Sequence, residues 1–261
     1  MDRIQTLLQT KQPQAVIFNG CDVNGTCVSD NSIRWIGTES GQAPDPNWST
    51  GVTNDGGHPN SPYFCPAECD TTLQTDDRWF WGAGKPLRSF EELVDVYHET
   101  VGRNCMLELD LSPDRSGLVP ARHAARYKQL GDFVKTCYGE PVAAGTPVIS
   151  ADPSEYGLSF ERPVAVDRIV LMEDQTDGQV IREYEVHGKV VDASGQNGTL
   201  DVPWSLLSNG TSVGHKKIDL FDRAVSLAHV RVRATRYADV PRWRSVTLHL
   251  CDRYSAENST G

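Results

Sequence analysis

The strongest constraint on the fold of this chain is a change of texture near Gly139. Before it, helix-like and strand-like segments alternate, as a parallel sheet with helical crossovers requires. Beyond it, strand-like segments at 169–171, 184–191, 228–234 and 246–250 are separated by Gly, Asn, Asp and Ser turns, and no good helical period appears. The texture divides the chain into an α/β domain over residues 1–139 and an all-β domain over residues 140–261. The second reads as an antiparallel β-sandwich.

Within the first part, Ile4, Leu7 and Leu8 mark a short helix face that stops before Pro13, and residues 15–19 read as a buried strand. Further short strands are expected at 33–37 and 63–68. Ser89-Phe90-Glu91-Glu92 has the form of a helix N-cap with acidic residues in the first turn, followed by the apolar face Leu93, Val96, Tyr97 and Val101. A strand at 105–111 breaks at Ser112-Pro113, and Pro120 opens a helix with Ala124, Tyr127, Leu130, Phe133 and Val134 on one face. This order fits either the second half of a barrel or an open doubly wound sheet. The loops joining the early strands are long and carry tryptophans and carboxylates, the mark of functional loops in compact enzymes.

The net charge of −10 is spread along the chain with no Lys/Arg cluster, which argues against nucleic acid and anionic membranes as partners. No apolar run approaches the ~20 residues that cross a bilayer, and the N-terminal pattern is an amphipathic helix without a signal-peptide core. Five N-x-S/T sequons, at Asn24, Asn47, Asn197, Asn209 and Asn258, and seven cysteines with the close pairs Cys21/Cys27 and Cys65/Cys69 nevertheless suit a secreted or lysosomal protein. Together they imply a true N-terminus further upstream. Cys65-x3-Cys69 has neither a second pair nor the histidine spacing of a zinc site, and Cys105, in an apolar strand, is expected to be a buried thiol. His58 is at most a loop contact, while His98 and His123 are expected at the helix surface; their spacing yields neither a catalytic triad nor a metal set.

Two segments could carry acid/base chemistry. Glu39 follows the strand at 33–37, with Trp35 available to limit solvent and raise its pKa; a solvated loop glutamate is the plain alternative. Pro66-Ala67-Glu68-Cys69-Asp70 places two further carboxylates at a strand end, and Trp79-Phe80-Trp81 follows closely. Aromatic faces stack on the C–H faces of sugars while carboxylates accept hydrogen bonds from hydroxyls, so Glu68, Trp79 and Trp81 read as a carbohydrate subsite; for the two tryptophans a place in the core is an even alternative.

Gln14 to Phe18, Arg34 to Gly41, Pro66 to Asp70, Trp79-Phe80-Trp81 and Val101 through Leu118 occur in the order and spacing of glycoside hydrolase family 29, the α-L-fucosidases. The chain most resembles the plant and bacterial branch associated with α-1,3/1,4-fucosyl linkages. The resemblance implies the C-terminal half of a (β/α)8-type barrel followed by a β-sandwich, a retaining mechanism, no metal or organic cofactor, and fucosylated oligosaccharides or glycoproteins as partners. It makes Glu39 the general acid/base and Trp35, Glu68, Trp79 and Trp81 pocket residues. The family's nucleophile is an aspartate in a Trp-x-Asp-Gly motif, which this sequence lacks, so the chain is expected to be inactive alone. Where relatives read Leu-Leu-Asn, this chain has Glu108-Leu109-Asp110, which either perturbs the pocket or faces a loop. The alternative is a non-catalytic carbohydrate-binding or remnant protein. In the second domain, which is similar in outline to galactose-binding-like modules, Trp204, Trp243 and Tyr237 are either a sugar platform or, for the tryptophans, packing between the sheets.

Overall fold

Four short strands, β1 (Ile17–Phe18), β2 (Ser32–Trp35), β3 (Ala67–Thr71) and β4 (Cys105–Leu109), pair in parallel in their sequence order. No reversal of strand order occurs among them, so the topological switch point of a doubly wound sheet is absent from the described residues. The computed structural model describes residues 2–20, 31–51, 55–76, 79–143, 145–148, 150–191 and 202–251. By contacts they form two units, one of residues 1–119 with 176–179, the other of 120–175 with 180–261.

In the first unit α1 (Asp2–Lys11) precedes β1, and α2 (Phe90–Thr100) joins β3 to β4. The N-cap expected at Ser89 is a complete capping box: Ser89 Oγ accepts from Glu92 N at 3.1 Å, and the Glu92 carboxylate accepts from Ser89 N. Leu93, Val96, Tyr97 and Thr100 form its buried face. Residues 15–19 are not a buried strand: only Ile17 and Phe18 are extended, and Val16 and Phe18 are exposed, because β1 lies at the end of the sheet order with one neighbour. The third strand runs from Ala67 to Thr71 instead of 63–68, since Pro66 has no N–H to give a ladder.

Cysteine pairing also differs from expectation. Ala67 lies opposite Cys105, which makes Cys69 its diagonal neighbour on the same face, and Cys69 and Cys105 form a disulfide with Cα atoms 6.0 Å apart. Cys105 is therefore not a thiol; Cys65 is the free, buried cysteine among the described residues.

The second unit contains α3 (Ala121–Tyr138), β5 (Thr146–Val148), β6 (Glu155–Glu173), β7 (Ile181–Val191), β8 (Ser205–Gly210), β9 (Lys217–Tyr237) and β10 (Trp243–His249). The six strands form one antiparallel sheet in the order β10-β6-β9-β7-β8, with β5 on β6. β6 and β9 are the longest, and their pairing shifts register between Ser159 and Val164 and again between Val166 and Arg168, the bulges at which long strands bend. Alternate residues of β6, β7, β9 and β10, including Ile169, Leu171, Ile181, Tyr184, Val186, Leu227, Val232 and Leu248, build one apolar core.

The division by texture at 139/140 and the division by contacts differ over α3. That helix belongs with the β-rich unit because Cys137 is bonded to Cys251, Arg168 donates to Tyr138 Oη at 3.0 Å, and Val142 N donates to Leu248 O. His123 is not at the surface: it is 1% exposed, on a face shared with Leu130, Phe133 and Cys137. Spacings of seven, three and four bring those four residues to one stripe of the helix. Trp243 packs against the apolar core, whereas Trp204 is 39% exposed and lies under the Arg231 guanidinium, 4.8 Å from its ring centroid, with Lys189 at 5.6 Å.

Candidate active site

The C-terminal ends of the parallel strands gather the site residues. Asn19, in the left-handed conformation at the end of β1, accepts from the backbone N–H of Trp35 at 2.9 Å and so fixes the end of β2. The chain then turns through Gly37, at φ 89°, to the exposed loop that carries Glu39. Trp79 Nε1 donates to Glu39 Oε2 at 2.9 Å, bridging 40 positions of sequence. Trp35 does not serve Glu39: its Nε1 donates to Asp70 Oδ1 at 2.8 Å, because Trp35 pairs with Glu68 and the next outward residue of β3 is Asp70.

Strand alternation sorts the remaining groups. Arg34, Ala67, Cys69 and Cys105 face the packed side, while Trp35, Glu68, Asp70, Met106 and Glu108 share the other. Glu68 is 2% exposed and its Oε1 has no hydrogen-bond partner. Burial, with the Asp70 and Glu108 carboxylates added to it, pushes its pKa up to about 7. Glu108 thus acts on the carboxylate face, and not merely on a loop. Asp110 contributes differently: Ser112 Oγ lies 2.6 Å from both Asp110 Oδ2 and the Trp79 carbonyl, tying the end of β4 to the aromatic segment.

Trp79, Phe80, Trp81, Asp110, Ser112 and Arg115 line an open cleft of about 450 Å³. Trp79 and Trp81 are half-buried, and Phe80 is 85% exposed, so the aromatic segment is a wall and not core. Gln74, fully buried, holds it from behind by donating to Phe80 O and accepting from Gly82 N.

The long segment between β2 and β3 is positioned by residues whose pairing could not be read in the sequence. Arg34, 3% exposed, donates to Asp55 O, Asn47 Oδ1 and Trp48 O at 2.6, 2.7 and 2.9 Å. Burial lowers its pKa to about 10, against the opposing pull of Cys65 and Asp55, so it remains a cation at neutral pH. Asn47 Nδ2 donates to Arg103 O and Asn104 O, while Asn104 Nδ2 returns bonds to Asn47 O and Ser49 Oγ. At Gly57, φ 75°, a Cβ would stand 2.6 Å from Thr50 O, so the turn closes only with glycine. Asn47 and its partners Arg103 and Asn104 lie more than 50 residues apart in sequence.

His58 is exposed and bonds within its own loop, where its Nδ1 accepts from Asn60 N. Among the described residues no group of three His, Cys, Asp or Glu side chains is arranged to hold a metal ion. What the site presents is an exposed carboxyl held through one oxygen by an indole N–H, and an aromatic cleft shared with that indole. A buried carboxyl whose pKa is raised to about 7 sits on the adjoining sheet face. The first can give or take a proton, the cleft suits a ring with apolar faces, and the third can donate or accept a hydrogen bond.

No family model matches the chain. It is 23% identical to alpha-L-fucosidase 1 of Arabidopsis thaliana over 97% of its own length and 54% of that protein's. Against the protein named "Putative alpha-L-fucosidase 1" of Oryza sativa subsp. japonica it is 30% identical over 56% of its length and 28% of the relative's. It superposes on the crystal structure of SpGH29 with a TM-score of 0.79 and 25% identity, covering 95% of this chain and 59% of that one. The chain thus spans about half the length of the Arabidopsis relative. The homologues by sequence are α-L-fucosidases, that is, glycoside hydrolases.

Proposed function

We propose that this chain is the acid/base-bearing part of a family 29 retaining α-L-fucosidase, comprising half of a (β/α)8-type barrel and a β-sandwich, which releases terminal α-1,3/1,4-linked L-fucose from oligosaccharides or glycoproteins. The observation that carries the reading is the hydrogen bond to Glu39 from Trp79, a residue that also lines the aromatic cleft. In this reading Glu39 protonates the leaving glycosidic oxygen and then, as carboxylate, takes the proton of the attacking water. Trp79 orients Glu39. Trp81 stacks on the sugar beyond the scissile bond, and Glu68 accepts or donates a hydrogen bond to fucose hydroxyls, with Trp35 fixing Asp70 beside it.

The sequence holds no Trp-x-Asp-Gly, so the nucleophile of this mechanism is not among the residues given, and these residues alone do not hydrolyse fucosides. That same observation favours a second reading, a carbohydrate-binding or remnant protein that keeps the cleft without turnover. Two disulfides support a secreted or lysosomal location.

Glu39→Gln in the complete enzyme tests the assignment. Hydrolysis of a substrate with a poor leaving group should fall by about 10²–10⁴-fold, with much less loss for an activated aryl fucoside and partial rescue by azide. Equal activity of variant and parent on the poor leaving group removes Glu39 from the mechanism. Fucose binding without hydrolysis by the complete protein supports the second reading.

A further inference from the structure

Two of the five sequons, Asn47 and Asn209, fall among described residues, and the structure treats them oppositely. Asn47 is 0% exposed, with its amide bonded to Arg34, Arg103 and Asn104; Ser49, the third residue of that sequon, is buried against Asn104. A glycan on Asn47 Nδ2 would displace two hydrogen bonds and open the network that holds the long loop, so the folded chain excludes modification there. Asn209 stands near the end of β8, the last strand of the sheet order, whose single neighbour among the described residues is β7. It is exposed, and its side chain makes no hydrogen bond among the described residues. Ser208 beside it turns the other way, inward to Asp219, so strand alternation sends Asn209 outward. Thr211 follows at a bend just past the strand, and Gly210 between them, the last residue of β8, packs its backbone against the Tyr184 ring, where a Cβ would stand 2.6 Å from Tyr184 Oη.

We infer that Asn209 is an N-glycan acceptor. The inference rests on the secretory part of the proposed reading, for which the Cys69–Cys105 and Cys137–Cys251 disulfides are separate support, and not on fucoside hydrolysis. The donor is a lipid-pyrophosphate-linked oligosaccharide: the bond from Asn209 Nδ2 to the sugar C1 forms, the C1–oxygen bond to pyrophosphate breaks, the amide nitrogen loses one proton, and the lipid pyrophosphate leaves.

The complete protein, secreted from a eukaryotic host, is digested with a peptide N-glycosidase in heavy-oxygen water and mapped by peptide mass spectrometry. Asn209 is expected to appear as heavy-oxygen aspartate and Asn47 as unmodified asparagine. Asn209→Gln and Thr211→Ala should each remove one glycan's mass from the secreted protein, and Thr211→Ser should restore it. An unmodified Asn209 peptide overturns the inference, whether glycan is found on Asn24, Asn197 or Asn258, which lie outside the described residues, or on none in protein secreted with its disulfides formed. Fucoside hydrolysis measured on the same samples is expected to be unchanged by Thr211→Ala, so failure of the hydrolase reading and failure of this one are read separately.

Discussion

The two units are held together by different means. In the β-rich unit, strand alternation fills one core with aliphatic side chains from four strands, and the buried Glu173 accepts from Val180 N, Ile181 N and Gly214 N. In the parallel unit one apolar cluster among the described residues is formed by Ile36, Ala43, Ala67 and the half-cystines Cys69 and Cys105, and Leu73, Leu93, Val96 and Tyr97 are buried besides. Around it Arg34, Asn47, Glu68, Gln74 and Asn104 are buried and polar. Apolar packing is tolerant of repacking, whereas a polar interior is directional and fails as a set. The unit that needs its loops at fixed positions is the one that uses hydrogen bonds to hold them.

That contrast can be broken by substitution. Arg34→Met, which removes the hydrogen bonds to Asn47 Oδ1, Trp48 O and Asp55 O, should cost about 3–5 kcal/mol, at roughly 1.5 kcal/mol for each hydrogen bond from a charged donor. Amide hydrogen exchange should quicken in β2, β3 and residues 43–58 while β6 and β9 keep their protection; uniform loss across both units would refute the division. Leu227→Ala, at a fully buried position in β9, should cost about 3 kcal/mol and reverse that exchange pattern.

The pH dependence sharpens the comparison. Glu68 carries a raised pKa of about 7 in the folded chain against 4.5 as its ordinary value, so between those limits the folded state holds a proton that the unfolded state has lost. Its contribution to stability is complete below pH 4.5, declines as pH rises to about 7, and then levels, by on the order of 3 kcal/mol in all. Glu68→Gln should flatten that slope in denaturant titrations across this range, and a slope unchanged in the variant assigns it elsewhere. The smallest effect belongs to the helix cap: Ser89→Ala should lower stability by about 1 kcal/mol, seen as faster exchange confined to the first turn of α2.

These outcomes bear on what was legible in the sequence. The capping box at Ser89 could be read because its two partners lie three residues apart. The strands at 169–171, 184–191, 228–234 and 246–250 could be read because one face is buried, although bulges carried β6 and β9 well past those limits. β3 was misplaced because Glu68 and Asp70 break the apolar run; they look like loop residues until their sheet face is known. β8, with the sequence SLLSNG, has no alternation to betray an edge strand. On α3 the buried Leu130 and Phe133 were read correctly, while Ala124 was taken in place of His123, since a histidine is not counted as apolar. Of the site, the positions were visible and the pairings were not. Glu39 meets Trp79 and Trp35 meets Asp70 across 40 and 35 residues, and local period carries no information over such spans.

The Cys137–Cys251 bond closes residues 137–251 into a covalent ring, with α3 as the stem that leads into it. A protease that cuts one exposed turn within that ring opens it without releasing either piece. The nicked protein keeps its mass under oxidising conditions and divides only when a reductant is added.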